Sequence, residues 1–133
     1  MKKSGILNAD LARAVAAMGH TDKLVVCDAG LPIPKGRSVV DLALTTNIPR
    51  FLETLEVVLQ ELEVERVVVA DEMQQFDNGV YEGVQRLLPD VPMDSVPHER
   101  FKEITNSDGN VLFVRTGEAT PYANIILISG VTF

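Results

Sequence analysis

Residues 23–36 read Lys23-Leu24-Val25-Val26-Cys27-Asp28-Ala29-Gly30-Leu31-Pro32-Ile33-Pro34-Lys35-Gly36. Four apolar residues run together, a carboxylate ends the run, and Gly and Pro punctuate the stretch beyond it. A short unbroken apolar run suits a strand covered on both faces, as in a parallel sheet. Gly30, Pro32, Pro34 and Gly36 then mark a loop. A second run, Arg66-Val67-Val68-Val69-Ala70, is dense in β-branched residues and also ends on acid, Asp71 and Glu72. Both runs stand beside segments with helical spacing. Upstream, Asn8 is a good N-cap, Leu7, Leu11, Val15 and Met18 recur on one face, and Gly19 suits a left-handed C-terminus. Between the runs, Asn47 is placed to cap a helix with Pro49 near its first turn and Phe51, Leu52, Leu55, Leu59 and Leu62 inward.

The rest of the chain continues the alternation. Val39–Leu44 is a weaker strand candidate, and Val80, Val84, Leu87 and Leu88 mark a helix ended by Pro89. Met93–Val96 reads as a short strand and Glu99–Ile104 as a short helix opened by Pro97-His98. Val111–Val114 and Ile125–Ile128 close the chain as strands. Helices alternating with strands predict a three-layer α/β/α fold with a largely parallel central sheet. With 133 residues, a single domain over 1–133 is expected. In such sheets the polar residues at strand carboxyl ends build the site. Here those are Asp28, Asp71, Glu72 and Arg115.

Composition narrows the function. Lys and Arg total 12 against 19 Asp and Glu, a formal charge of −7, which is a poor basis for phosphate-backbone binding. One Cys excludes an internal disulfide framework and any multi-Cys zinc site. No apolar run is long enough to span a bilayer, and no signal-like apolar core follows Lys2 and Lys3. A cytoplasmic protein is expected. No GxGxxG or GxxxxGK[ST] occurs, so no nucleotide cofactor is indicated. No HExxH or paired-His spacing supports a metal, and none is assigned.

The titrating residues are few. His20 and His98 are the two histidines, and imidazole is the usual proton shuttle near neutral pH. His20 could simply be a cation at a helix end, and His98 a surface loop residue. Asp28 ends an apolar strand, where a carboxylate must be solvated, paired or useful; it could equally bind the N–H groups of its own loop. Arg115-Thr116-Gly117-Glu118 and Thr120-Pro121-Tyr122-Ala123-Asn124 are dense in polar groups. They read as an ordinary turn or as a site for sugar hydroxyls beside an aromatic face. Cys27 reads as a buried small hydrophobe. Val131-Thr132-Phe133 is either tucked into a core or subunit contact, or frayed.

Several of these blocks resemble one known family. Gly5-Ile6-Leu7-Asn8, the run Gly19–Pro34, His98-Glu99-Arg100-Phe101-Lys102, Arg115–Glu118, Pro121–Asn124 and Gly130–Phe133 are similar to the signature of the ribose pyranase / fucose mutarotase family. Gly30-Leu31-Pro32 resembles the ribose branch. One segment departs: Glu72-Met73-Gln74 stands where the family reads Glu-Ile-Lys, and no role for a cation is assigned there. The resemblance implies a cytoplasmic isomerase that interconverts β-D-ribopyranose and β-D-ribofuranose and supplies furanose to ribokinase. It implies no cofactor, and a homodecamer with sites where subunits meet. It implies His20 as proton donor, and Asp28, His98, Tyr122, Ala123 and Asn124 as substrate contacts. The acidic charge fits free D-ribose better than a sugar phosphate. The rival readings are a non-catalytic sugar-binding partner of ribose transport, an L-fucose-type mutarotase and a Rossmann-like nucleotide module. The first has no need of a titrating His20.

Overall fold

In a computed structural model, residues 1–76 and 78–133 are described. The first helix, α1 (Ala9–Ala16), starts where Asn8 Oδ1 accepts the Leu11 N–H at 2.9 Å. It buries Leu11, Ala14 and Val15, one stripe at helical spacing. It ends at Ala16 with Ala17 as its cap, before Gly19. Gly19 is therefore not the left-handed terminus expected of it. Its N–H goes to Asp22 Oδ2 at 2.8 Å, inside the turn that leads into β1 (Lys23–Cys27). Along β1, Leu24 and Val26 point to one core and Val25 and Cys27 to the other, the period of two that a strand imposes.

Next come β2 (Ser38–Asp41), shorter than the expected Val39–Leu44, and α2 (Phe51–Leu59). Asn47 does not cap α2. It lies in a turn at φ +62°, and its Oδ1 takes the Ala119 N–H at 2.9 Å. The start of α2 is fixed instead by Glu53 Oε1, which accepts the Arg50 N–H at 2.6 Å. Pro49 lies ahead of the helix. β3 (Val64–Ala70) passes without a loop into a five-residue helix, α3 (Asp71–Gln75), which the sequence did not announce. Then come α4 (Val80–Leu87), β4 (Met93–Val96), α5 (His98–Thr105), β5 (Val111–Arg115) and β6 (Ile125–Ser129).

The six strands form one sheet in the order β2-β5-β1-β6-β3-β4. β1 with β5, β2 with β5 and β3 with β4 are parallel pairs. β6 runs antiparallel between β1 and β3. The sheet is thus mixed, mostly parallel and flanked by helices, as the alternation predicts. One core packs Phe51, Leu55 and Val58 of α2 with Val15 and Val84 against Leu24, Val67 and Leu127. The other packs Phe101 of α5 against Val25, Phe113 and Ile126. Burying a side chain such as Phe101 contributes roughly 1.5–3 kcal/mol.

This topology positions the site. The parallel strands all end on the same edge, and β6, running the other way, begins there. Residues after β1 and β4 therefore meet residues that precede β6. The chain terminus lies elsewhere: Phe133 is fully exposed and is not tucked into this chain's core.

Candidate functional site

A cleft of about 340 Å³ opens at that edge, lined by Asp28, Leu31, His98, Glu118, Thr120 and Tyr122 among others. Asp28 follows β1 directly. Its backbone N–H donates to Asn124 Oδ1 at 2.8 Å, and Asn124 Nδ2 donates back to Asp28 Oδ2 at 3.1 Å. Gly30 N–H reaches Asp28 Oδ1 at 2.9 Å. Each carboxylate oxygen takes one amide N–H, so lone pairs remain for a ligand hydroxyl. Asn124 is fully buried. Its amide acts on Asp28 and faces no solvent. Ala123 is also fully buried, so it shapes the wall from behind.

Tyr122 occupies the left-handed region at φ +65°, an uncommon conformation for a residue with a side chain. Such a position costs on the order of 1–3 kcal/mol and persists only where the surroundings over-determine it. Here the ring is held from two sides. Phe76 stacks on it with centroids 5.4 Å apart, and His98 meets it edge-on at 5.0 Å.

His98 stands at the start of α5. Its backbone N–H points to both oxygens of Glu72, at 3.1 and 3.2 Å. That carboxylate caps α5 from α3 and sets where the imidazole enters the cleft. His98 Nδ1 is buried and has no hydrogen-bond partner among the described residues.

Glu118 is buried in the cleft wall. Its Oε1 accepts the Phe51 N–H at 3.1 Å and its Oε2 the Thr120 hydroxyl at 3.0 Å, with Arg50 Nη1 at 3.4 Å. This ties the 118–122 segment to the start of α2. On the far side, a Cβ added at Gly117 would lie 2.4 Å from Thr45 O and 2.6 Å from Ile48 O. Only glycine allows the 45–48 turn to approach so closely. Arg115 braces the same edge, bonding Asp41 at 3.0 Å and Ala29 O at 3.1 Å. Cys27 is buried beneath Asp28. Burial first, and the Asp28 charge second, push its thiol up to about 12, so it is protonated and inert at neutral pH.

His20 is not at this cleft within one chain. It precedes β1 whereas Asp28 follows it, and the five residues of β1 span about 13 Å. There its Nε2 lies 2.9 Å from Glu65 Oε2, with both side chains about half exposed. The structure thus brings together Asp28, His98, Tyr122, Ala123 and Asn124 and sets His20 at the opposite end of the sheet.

Sequence reasoning placed Glu72 and Glu118 among the polar residues that could build a site without giving either a role, and it missed Phe76, which stacks on Tyr122. Glu72 and Glu118 were visible as polar residues near strand ends, but nothing local says which backbone N–H they take. Among the described residues no helix is long and apolar enough to cross a membrane.

Comparison with known proteins extends this picture. The model of the RbsD / FucU transport protein family matches residues 1–132. A D-ribose pyranase of Geobacillus thermodenitrificans (strain NG80-2) is 50% identical over 133 residues, covering 100% of this chain and 99% of the relative. The structure of Bacillus subtilis RbsD complexed with D-ribose superposes with a TM-score of 0.93 at 43% identity, over 100% of both chains. A fucose mutarotase from Streptococcus pneumoniae, in complex with L-fucose, superposes at 0.79 over 96% of this chain and 95% of that one. At 22% identity it shares the fold alone. The chain belongs to the RbsD / FucU transport protein family.

Proposed function

We propose, with that family as the premise, that this chain is a D-ribose pyranase interconverting β-D-ribopyranose and β-D-ribofuranose. The observation that carries the reading is full-length likeness to D-ribose pyranases, joined to a polar cleft fit for a small ligand. Its volume is at the low end of the roughly 300–1,000 Å³ usual for ligand sites.

The chemistry rests on the residues. A proton passes from the His20 imidazolium to the ring oxygen O5 as the C1–O5 bond breaks. The anomeric hydroxyl, held by Asp28, loses its proton to water and becomes the C1 carbonyl. Closure reverses this on a different oxygen. O4 attacks C1, its proton returns to His20, and the carbonyl oxygen regains a proton from water. One C–O bond is exchanged for another by proton transfers with no net redox change, and no metal or cofactor is proposed. General acid–base help of this kind is worth about 10²–10⁴-fold.

His98 offers Nε2 to a sugar hydroxyl, and Tyr122 offers its ring or phenol. Ala123 shapes the wall, and Asn124 contributes through Asp28. His20 lies beyond the far end of β1, so it serves the cleft of a neighbouring subunit. On this reading the sites lie between subunits of the expected homodecamer. The expected setting is the cytoplasm, with furanose passed to ribokinase.

The test is ring-form exchange of D-ribose by NMR saturation transfer, wild type beside His20→Ala. Pyranose–furanose exchange raised by wild type and lost in the variant is expected. Ribose binding without any enhancement would replace the enzyme with a sugar-binding partner of transport. Enhancement confined to anomer exchange on L-fucose would replace it with a mutarotase.

A further inference from the structure

Two unusual backbone features converge on one contact outside the cleft. Thr21, next to His20, sits at φ +70°. A β-branched residue in that region is a genuine outlier, and such outliers concentrate where a side chain must be aimed. On the other side of the contact, β3 and β6 pair Val64 with Ser129 and Arg66 with Ile128. Glu65 is therefore the extra residue of a β-bulge, a device that re-aims a side chain. A Cβ on Gly130 would lie 3.2 Å from the Glu65 Cβ, so the glycine also leaves room for it. These features flank the 2.9 Å contact of His20 Nε2 with Glu65 Oε2.

We propose that Glu65 is the positioning residue for His20, holding Nε2–H and leaving Nδ1 as the nitrogen that exchanges a proton with the sugar. This rests on the reading of His20 as proton donor. An ionised carboxylate only accepts, so the hydrogen in the contact belongs to Nε2. The neutral ring then has its lone pair on Nδ1, and the imidazolium has a second N–H there. During ring opening the proton leaves Nδ1 for O5 as C1–O5 breaks. It returns to Nδ1 from the O4 hydroxyl as C1–O4 forms. Nε2–H stays on Glu65 throughout. This is the division of labour of an acid that orients a histidine.

An incidental surface ion pair needs neither a bulge nor a left-handed threonine. Asp22, two residues on, is engaged elsewhere. Its Oδ2 takes the Gly19 N–H at 2.8 Å and Asn110 Nδ2 at 3.2 Å. With His20 and Glu65 side chains 52% and 44% exposed, the Nδ1 edge can meet a sugar brought by another copy.

The test joins two readouts on the full-length protein. ¹⁵N NMR of the imidazoles, with His20 told apart by a His98→Asn variant, reports the tautomer. Wild-type His20 in the neutral state is expected almost wholly as the Nε2–H form, with a clear admixture of the Nδ1–H form appearing in Glu65→Ala. Kinetics should show kcat lowered roughly 10- to 100-fold in Glu65→Ala and Glu65→Gln, the scale on which losing an imidazole's outer partner acts, with KM nearly unchanged. An Nδ1–H tautomer in wild type overturns the proposal even if the variants fail to fold. Variants with unchanged kcat overturn it too. Should wild type hold the Nε2–H form yet give no ring exchange, the pairing stands and the enzymatic reading falls.

Discussion

The two ends of the sheet are built differently. At the carboxyl edge, each cleft side chain has a partner from another element: Asp28 has the buried Asn124, His98 the half-buried Glu72, and Tyr122 the stacked ring of Phe76, itself exposed. At the opposite end, His20 is held by one contact to a half-exposed Glu65. The cleft wall rests on the buried Asn124 and Glu118, whereas His20, the proposed proton carrier, is presented outward. A sugar needs a rigid, preorganised cradle, because every ordered contact then costs less on binding. A residue that serves a neighbour's cleft must instead project from its own surface.

That contrast can be broken in a graded series. The largest effect is expected at His20: His20→Ala should lower kcat about 10²–10⁴-fold while ribose still binds. His98→Ala should mainly raise KM. The reverse ranking in steady-state assays would move proton transfer into the cleft itself. Next comes Asn124→Ala. It orphans the Asp28 N–H and removes an amide from the carboxylate, so denaturant unfolding should show a loss of about 3 kcal/mol, from roughly 1–3 kcal/mol per unmade buried bond. Ribose affinity should fall with it. Gly117→Ala places a Cβ 2.4 Å from Thr45 O, and the forced shift should cost roughly 1–3 kcal/mol. A fully stable Gly117→Ala protein would show that the cleft wall yields easily at the 45–48 turn.

The smallest effect near neutral pH concerns Cys27. A thiol reagent at pH 8 should label it only after unfolding. Its folded pKa is about 12 against the ordinary 9.0, so the unfolded chain gives up this proton first. Above pH 9 stability should therefore fall with pH by about 1.4 kcal/mol per unit, and stop falling on this account near pH 12. The difference between wild type and Cys27→Ala across that range isolates the effect. Rapid labelling of the native protein would contradict a rigid carboxyl edge.

Much of the fold was legible because buried strands write themselves as apolar runs. Leu24–Cys27, Val67–Val69 and Ile125–Ile128 could hardly lie elsewhere. The direction of β6 was not legible, since an apolar run reads the same either way. Nor were the ends at Gly19 and Asn47, where a local turn bond to Asp22 and a long-range bond to Ala119 take the place of the expected caps. Asp28 and Tyr122 were visible as polar residues at strand ends. Their supports were not, because Asn124 is 96 residues from Asp28 and Glu72 is 26 from His98. Glu65 left only a faint trace: two successive exposed residues, Glu65 and Arg66, in a strand otherwise buried. A single sequence does not distinguish that break from an ordinary surface position.

The central claim is that the outward His20 of one subunit serves the cleft of another. Co-expressing His20→Ala with Asp28→Asn tests it most directly, by ring-form exchange of the purified mixed assembly. Each parent alone should be nearly inactive. The mixture should recover exchange well above both, because some sites unite an intact His20 with an intact Asp28. A mixture no more active than its parents would place both residues in one chain's site and contradict the account.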